Sequence, residues 1–258
     1  MAKMKFTAEF DGIRAKLYSE ALREFPEARK SDILLMMKYL CPKPGEKILE
    51  IGAGNGMFSG VIADAVLPGG MVVVSDPSRE QLFGVADLDR KNIEIRNEGA
   101  DKLTLKDDCV DKIFSFGAVH HVFNKTVAFK NFHRILKSGG LLIFGDVFSG
   151  SNLARHFDDR VAKYCVTGHE VSFLSRHYTE SLCLLTGFNK PEFHEFNAHW
   201  VFDKKEDIGM FLFKLHAMTK TTPEECLRGA EEILGINVEN GKYYLNWPMT
   251  MVVTKRGD

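Results

Sequence analysis

A buried strand followed by three alternate glycines is the feature that most limits how this chain can fold. The segment runs Ile48-Leu-Glu-Ile-Gly52-Ala-Gly54-Asn-Gly56-Met-Phe-Ser-Gly60 and passes from an apolar strand pattern into a helical one. Glycine permits a sharp turn and lets a ligand approach the bare backbone. In doubly wound folds this turn, at the carboxyl end of a strand, is where nucleotide-like ligands bind. The segment therefore predicts a cofactor site on an α/β sheet.

Strand and helix patterns alternate through the middle of the chain. Short apolar runs predict strands at Lys47–Ile51, Met71–Ser75, Asn92–Arg96, Asp111–Phe116 and Leu141–Phe144, with helical spacing between most of them. Such alternation predicts a mostly parallel sheet with helices on both faces and right-handed crossovers. Two later strands bring the expected number to seven: one starts after Gly187 and runs through Glu192 to Phe202, and the last lies near Tyr243–Thr254.

The domain organisation follows from the same patterns. Residues 1–44 show helical spacing that ends at two prolines and a glycine, Pro42, Pro44 and Gly45, which predicts a separate helical segment. Residues 45–258 form the predicted sheet domain. We expect two helical insertions in it, at about 150–186 and 204–239.

The charge balance and the cysteine pattern disfavour several classes of protein. There are 34 basic and 35 acidic residues, a net charge of −1, so no basic field spans the chain to hold a nucleic acid. The sequence contains no run of about 18 apolar residues, so no membrane span is expected. The first nine residues lack the apolar stretch of a signal peptide. Five scattered cysteines are typical of a reduced, cytoplasmic protein. Cys165 and His169 have a ligand-like spacing, but no second close pair accompanies them, so no metal site is predicted.

The spacing of the glycines separates two cofactor classes. The dinucleotide fingerprint Gly-x-Gly-x-x-Gly would place its third glycine at position 57, which is Met57. Glu50, at the end of the strand, would repel a pyrophosphate but can accept hydrogen bonds from an ammonium group, directly or through water. S-adenosylmethionine carries an ammonium group and no phosphate. The segment therefore favours S-adenosylmethionine over a nicotinamide dinucleotide.

On these residues the chain resembles the class I S-adenosylmethionine-dependent methyltransferases, and among them the small-molecule group of the ubiquinone/menaquinone C-methyltransferases. The resemblance covers about residues 45–147. It implies a Rossmann-like fold with an antiparallel last strand, and an N-terminal helical segment that closes over the cofactor as a lid. The matching motifs, in the family's order, are Glu50 to Gly56, Asp76, Leu103-Thr-Leu-Lys-Asp-Asp-Cys-Val-Asp111, Phe116-Gly-Ala-Val-His-His121 and Arg134-Ile-Leu-Lys-Ser-Gly-Gly140.

The resemblance also implies which residues bind the cofactor. Glu50 and the lid residue Tyr18 are expected at its methionine end, and Asp76 at its ribose hydroxyls, although Asp76 before a proline also has the pattern of a helix N-cap. Asp101 is expected at the adenine amino group, because Gly99 stands where the family commonly has an acidic residue. The full expected set is Tyr18, Glu50, Gly52, Ala53, Gly54, Gly56, Asp76, Pro77, Ala100, Asp101, Phe116 and Gly117.

Two neighbouring histidines are the candidate catalytic residues. In this family the loop after the fourth strand points toward the transferred methyl group, and His120 and His121 lie in it. A neutral imidazole there can remove a proton from an acceptor hydroxyl or amine, because its ordinary pKa of about 6.5 suits a base near neutrality. The alternative is that one ring packs and caps the loop.

The chain has 20 phenylalanines, more apolar volume than turns and surface helices need. Helix 204–219 carries an apolar face that either packs on the sheet edge, forms a wall of a substrate pocket, or contacts a second copy in a homodimer. Many phenylalanines follow the fifth strand, in segments that vary with substrate in this family, and predict an apolar acceptor pocket there: Phe148, Phe157, Phe173, Phe188, Phe193, Phe196, Phe202, Phe211 and Phe213.

The expected function is methyl transfer from S-adenosylmethionine to a small, apolar or aromatic molecule. Two alternatives stay open. An RNA or protein methyltransferase with the same core would need a basic face or an added recognition domain. A nicotinamide-dependent oxidoreductase on a similar sheet would need the third glycine at position 57. The expected partner is a small-molecule substrate, with no membrane and no nucleic acid.

Overall fold

The computed structural model describes residues 9–257, which form one eight-stranded sheet with helices on both faces. The first eight residues of the predicted segment 1–44, and residue 258, lie outside the described residues. None of the helices described is long and apolar enough to cross a membrane. The strands are β1 (Lys47–Ile51), β2 (Met71–Ser75), β3 (Ile93–Arg96), β4 (Val110–Phe116), β5 (Leu136–Asp146), β6 (Glu192–Phe202), β7 (Ile236–Glu239) and β8 (Lys242–Lys255). The helices are α1 (Ile13–Glu24), α2 (Lys30–Leu40), α3 (Ser59–Ala65), α4 (Arg79–Ala86), α5 (Lys125–Ile135), α6 (Asn152–His156), α7 (Ala162–Tyr164), α8 (Arg176–Leu185), α9 (Lys205–Leu215) and α10 (Pro223–Ile233).

The strands lie in the order β3-β2-β1-β4-β5-β8-β6. Strands β1 to β5 run parallel to one another, whereas β8 is antiparallel to both β5 and β6. This arrangement confirms the predicted doubly wound, Rossmann-like sheet with an antiparallel last strand. The strand order reverses between β1 and β4, and ligands of such sheets bind beyond the carboxyl ends of the strands at that point.

The sheet has one strand more than the seven expected. Strand β7 lies at the end of the insertion 204–239, which was predicted to be helical, and pairs with the start of β8. The physical reason is a two-residue hairpin: Asn240 and Gly241 both have positive φ, at 51° and 76°, as a tight turn between twisted strands requires. Gly235, also at positive φ (82°), ends the preceding helix.

Helix α9 turns its apolar face into the core. Ile208, Phe211 and Leu212 are fully buried, and the ring of Phe211 meets that of Trp200 edge-on at 5.5 Å between centres. Packing on the sheet edge is therefore the arrangement observed for these side chains. Met210, off that face, is 37 % exposed.

A buried ion pair fastens the N-terminal helices to the far edge of the sheet. Arg29 Nε donates to Asp32 Oδ2 at 2.7 Å, and Trp200 Nε1 of β6 donates to Asp32 Oδ1 at 3.0 Å. Both charged groups are buried, so removing one partner would leave an uncompensated charge in the interior. The pair fixes the position of α2. Because α1 directly precedes α2 in the chain, the pair also anchors the end of α1.

A glycine sets how closely α9 and α10 approach. A Cβ atom placed on Gly209 of α9 would lie 2.2 Å from the carbonyl oxygen of Pro223, at the start of α10. That oxygen belongs to the backbone and cannot rotate away, so we expect Gly209→Ala to destabilise the fold by about 1–3 kcal/mol, the usual cost of overpacking. Denaturant unfolding measures this difference.

Gly60 in α3 is the matched control. A Cβ there would meet Leu88 at 3.6 Å, an ordinary van der Waals contact. Because alanine is the better helix former, Gly60→Ala should leave the stability unchanged or raise it by up to about 1 kcal/mol. Equal effects of the two substitutions would show that the close approach of α9 and α10 has no energetic weight.

Candidate active site

The turn after β1 brings three strand ends together. The backbone N–H groups of Gly52 and Ala53 both donate to the carbonyl oxygen of Ser75 at the end of β2, at 2.8 and 3.2 Å. Gly52 has a φ of 67°, and a Cβ on it would lie 2.3 Å from the Cβ of Ala118 in the loop after β4. The loops that follow β1 and β4 can therefore touch only because residue 52 is glycine.

Glu50 is a buried carboxyl at the end of β1. It is 2 % exposed and accepts a hydrogen bond from Ser59 Oγ at 2.6 Å. Burial, with a smaller contribution from the charge of Asp76, raises the pKa of Glu50 to about 8 despite the Ser59 bond. The free domain therefore holds an uncharged acid here near neutral pH.

Asp76 lies directly after β2 and faces the same turn. Its carboxylate accepts from the N–H of Gly54 at 2.9 Å and from the N–H of Ser78 at 2.8 Å. Burial raises the pKa of Asp76 although both hydrogen bonds oppose that shift. Ser78, not Asp76, is the N-cap of α4: its hydroxyl accepts from the N–H of Gln81.

Two side chains beside the glycine turn lack hydrogen-bond partners. Both amide atoms of Gln81 and the Oδ1 of Asn55 are buried without a partner, and Gln81 Oε1 is 4.0 Å from where a Cβ on Gly54 would stand. Buried amides without partners cost free energy, and in native proteins they usually await a ligand or water. No sequence pattern marks Gln81 as a site residue, since nothing in its helix distinguishes it.

The remaining expected cofactor residues lie around the same sheet edge or on its cover. Ala100 and Asp101 form the turn after β3, where Asn131 Nδ2 donates to the Ala100 carbonyl at 3.2 Å. Phe116 ends β4, and the N–H of Gly117 donates to the carbonyl of Gly145 on β5. Tyr18 lies in α1, and its hydroxyl accepts from Arg29 Nη1 at 3.3 Å. Pro77 is exposed beside Asp76.

His120 is held by a carboxylate that the sequence analysis did not identify. Asp146, at the end of β5, contacts His120 Nδ1 at 2.5 Å and accepts from the His120 backbone N–H at 3.1 Å. Burial opposes ionisation of Asp146, but the charge of His120 and these bonds outweigh it and lower the pKa of Asp146. Its position was open to inference, because parallel strands β4 and β5 end at the same edge. His120 Nε2 is buried without a partner.

His121 is paired with Glu9, in the segment before α1. Its Nδ1 lies 2.8 Å from Glu9 Oε2, and Arg14 binds the other Glu9 oxygen. Burial and the neighbouring His120 lower the pKa of His121 to about 4. Although burial opposes it, His121 and Arg14 lower the pKa of Glu9 to about 2. The N-terminal segment thus reaches the candidate catalytic histidines directly.

A third histidine joins the pair from the insertion after β5. The ring of His169 stacks on Phe157 at 4.8 Å and lies 5.2 Å from the ring of His121 and 5.8 Å from that of His120. Both ring nitrogens of His169 lack a partner, and burial lowers its pKa to about 2.

Aromatic rings pack against this histidine cluster through Phe157 and Phe173. Phe157 is central: its ring centre lies 5.2 Å from that of His216 and 5.9 Å from that of Trp247. Phe173 packs against it at 6.1 Å. We call Phe157, Phe173, His156, His216 and Trp247 the aromatic cluster. Two of the nine phenylalanines expected to line an acceptor pocket, Phe157 and Phe173, lie in it.

Comparisons with known proteins place this geometry in a family. A model described as "Methyltransferase domain" matches residues 49–144. An arsenite methyltransferase of Halobacterium salinarum is 31 % identical over 182 residues, which are 66 % of this chain and 45 % of that protein. The ubiquinone/menaquinone biosynthesis C-methyltransferase UbiE of Haemophilus ducreyi is 33 % identical over 109 residues, 39 % of this chain and 41 % of that protein. The chain spans less than half the length of these two relatives.

Solved structures share the fold. The YcgJ protein of Bacillus subtilis aligns with a TM-score of 0.66 at 15 % identity, over 88 % of this chain and 98 % of that one. Phosphoethanolamine N-methyltransferase 2 of Haemonchus contortus, in complex with S-adenosylmethionine, aligns with a TM-score of 0.67 at 15 % identity, over 98 % of this chain and 59 % of that one.

The chain contains a class I S-adenosylmethionine-dependent methyltransferase domain. The predicted resemblance is thereby confirmed, and S-adenosylmethionine is the cofactor of the domain. The methyltransferase domain matched over 49–144 contains the glycine turn, Asp76 and both candidate histidines, and the nicotinamide alternative is set aside.

Glu50 should reduce the stability of the cofactor-free methyltransferase domain as pH rises. Its pKa is 4.5 ordinarily and about 8 when folded, so between these values the unfolded chain loses a proton that the folded chain keeps. Stability therefore falls by about 1.4 kcal/mol per pH unit across that window, and is unaffected below it. Glu50→Gln, which cannot ionise, should melt several degrees above the original protein at pH 8 and much closer to it at pH 5.

Thermal unfolding without cofactor measures this difference at both pH values. Asp87→Asn, at an exposed position after α4, is the control and should show no such pH-dependent gain. A melting difference for Glu50→Gln that is the same at pH 5 and pH 8 would contradict the raised pKa.

Proposed function

We propose that the protein transfers a methyl group from S-adenosylmethionine to a small, apolar or aromatic acceptor. The observation that carries the acceptor class is the aromatic cluster, in which the rings of Phe157 and Phe173 lie 6.0 and 5.8 Å from that of His120, at the sheet edge that also bears the glycine turn. Its members are all at least partly buried, which suits a compact, flat acceptor better than a polymer. The near-zero net charge is in line with a neutral substrate.

The cofactor side of the site offers groups that fit S-adenosylmethionine. Glu50 provides a carboxyl for the ammonium group, and Asp76 one for the ribose hydroxyls. Gln81, with both amide atoms unpartnered, provides a donor and an acceptor beside them. When bound, the cofactor supplies a sulfonium-linked methyl group with a very good leaving group.

The other expected residues have positioning roles in this proposal. The bare backbone of Gly52, Ala53, Gly54 and Gly56 admits the cofactor, and Ala100 with Asp101 borders the adenine. Phe116 and Gly117 form the floor between cofactor and acceptor. Residues 9–44 of the predicted lid segment 1–44 cover the methionine end through Tyr18. Proximity and exclusion of water then account for most of the rate, because the displacement itself needs little covalent help.

His120 is the proposed base for an acceptor that carries a proton. Asp146 holds Nδ1 at 2.5 Å, which leaves Nε2 with its lone pair directed away from that bond. A hydroxyl or amine acceptor can pass its proton to Nε2 as it attacks the methyl group. His121, whose Nδ1 is held by Glu9 at 2.8 Å, is the second candidate.

An RNA or protein acceptor is the alternative. The cheapest discriminating experiment incubates the protein with S-adenosylmethionine and measures S-adenosylhomocysteine release with three substrate sets: phenols, thiols and amines of low mass; total RNA; and a protein extract. The proposal expects release with members of the first set. Release with RNA or protein alone would contradict it. A homodimer and a cytoplasmic location stay predictions.

The binding role of Asp76 is tested by Asp76→Asn. The amide can still accept one backbone hydrogen bond but cannot offer two carboxylate oxygens to the ribose and the turn together. We expect S-adenosylhomocysteine to bind about 10- to 100-fold more weakly, the range for loss of a hydrogen bond to a charged group. Isothermal titration calorimetry measures the affinity.

Asp87→Asn serves again as the matched control, because it makes the same chemical change at an exposed residue at the other end of α4. Its affinity should equal that of the original protein. Unchanged binding in Asp76→Asn would remove Asp76 from the proposed cofactor site while leaving the methyltransferase assignment intact.

A further inference from the structure

Three imidazole rings from two distant segments meet beside the aromatic cluster. His120 and His121 come from the turn after β4, and His169 from the loop after α7. One ligand nitrogen from each ring lies within 4.8 Å of the other two. Neutral imidazole nitrogen is a preferred ligand of zinc and of the neighbouring transition metals.

Carboxylates orient two of the three rings. Asp146 holds His120 Nδ1 at 2.5 Å, and Glu9 holds His121 Nδ1 at 2.8 Å. A carboxylate on one ring nitrogen fixes the proton there and leaves the other nitrogen as a lone-pair donor. This carboxylate–histidine arrangement is the usual support of histidine metal ligands.

Three ring nitrogens of the cluster are buried and unused. His120 Nε2 and both ring nitrogens of His169 have no hydrogen-bond partner, and the two residues are 3 % and 8 % exposed. The stack on Phe157 fixes the plane of the His169 ring without satisfying either nitrogen. Buried polar atoms left in this state indicate a ligand.

The charged groups around the cluster do not compete for these nitrogens. Asp146 and Glu9 contact the rings themselves. The two nearby cations are occupied elsewhere: Arg14 binds Glu9 and Thr167 Oγ1, and Lys125 Nζ donates to the backbone carbonyl of Val122 at 2.9 Å. The carboxylates and cations balance, so an added divalent ion would meet no net positive field.

We propose that His120, His121 and His169 bind a divalent transition-metal ion of the zinc type. Nitrogens on one tetrahedral zinc stand about 3.4 Å apart, given bonds of about 2.0–2.1 Å, so ligand nitrogens that now lie within 4.8 Å of one another need to approach by about 1.4 Å at most. Three histidine ligands leave the fourth position open, as in catalytic zinc sites. No metal was predicted from the sequence, because His169 lies far along the chain from His120 and His121.

The role of the ion rests on the proposed methyl transfer. The open position takes the oxygen, nitrogen or sulfur atom of the acceptor and lowers its pKa, so that its proton leaves to water. That atom then forms a bond to the methyl carbon as the sulfur–methyl bond breaks, and S-adenosylhomocysteine leaves with the electron pair. No oxidant or reductant is needed. In the metal-bound protein His120 is a ligand, and it acts as a base only when the ion is absent.

Metal binding is tested on the full chain prepared without a polyhistidine tag and stripped with a chelator. Zinc chloride is titrated against the protein in competition with a chromogenic chelator, and cobalt(II) is added separately to record its absorption spectrum. We expect about one equivalent of zinc to bind and cobalt(II) to give a tetrahedral spectrum. His169→Ala should weaken zinc binding at least 100-fold, and Asp146→Asn about 10- to 100-fold.

His199→Ala is the matched control, because His199 is exposed on β6 and lies outside the cluster. It should bind zinc as the original protein does. His169 has no hydrogen bond to lose, and unchanged binding of S-adenosylhomocysteine shows that the His169 variant is folded. The proposal is overturned if the original protein binds zinc no more tightly than His169→Ala, or if His199→Ala loses the ion equally.

The two proposals fail separately. Zinc titration needs neither cofactor nor acceptor, so its outcome does not depend on methyl transfer. If the stripped protein releases S-adenosylhomocysteine with a small acceptor and binds no zinc, the methyl-transfer function holds and the metal site is rejected.

Discussion

The missing side chain at residue 52 is the constraint on which the site depends. Any Cβ there would collide with Ala118 at 2.3 Å, so only glycine lets the loops after β1 and β4 touch. The same turn gives two N–H groups to Ser75 and ties the end of β2 to them. Three strand ends are thus locked at one edge, and the carboxyls and histidines that follow these strands can act together only because of that contact.

Four carboxyls at this edge, three of them buried and Glu9 half-buried, divide into two electrostatic groups. Burial opposes ionisation of all of them, and on the cofactor side nothing outweighs it, so the pKa values of Glu50 and Asp76 are raised. On the histidine side, Asp146 and Glu9 have cationic or hydrogen-bonding partners, and their pKa values are lowered. The cofactor side therefore carries an unrelieved cost in the free protein, which a bound ammonium group would offset.

Local sequence signals predicted the parts of the fold that local chemistry determines. The strand–glycine turn, the mostly parallel sheet and the position of Asp76 at the end of β2 all follow from short motifs. The turn at Asn240-Gly241 was equally visible, but residues 236–239 before it were assigned to a helical insertion, so one strand was missed. Contacts made by docking of distant segments were out of reach: Glu9 on His121, and His169 beside both catalytic candidates, depend on how α1 and the insertion after β5 settle on the sheet.

The insertion after β5 shows why such contacts cannot be read from periodicity. Between α6 and α7 the helix widens into a π-helical turn at Phe157–Val161. Such turns are uncommon and concentrate at functional sites. A π turn adds a residue to the helical repeat and shifts the side chains that follow it, so a 3.6-residue period does not predict which of them face the interior. The contacts of the Phe157 ring with His169 and Trp247 offset the poorer helical hydrogen bonding. The π-helical turn thus begins at the residue whose ring packs on the histidine cluster.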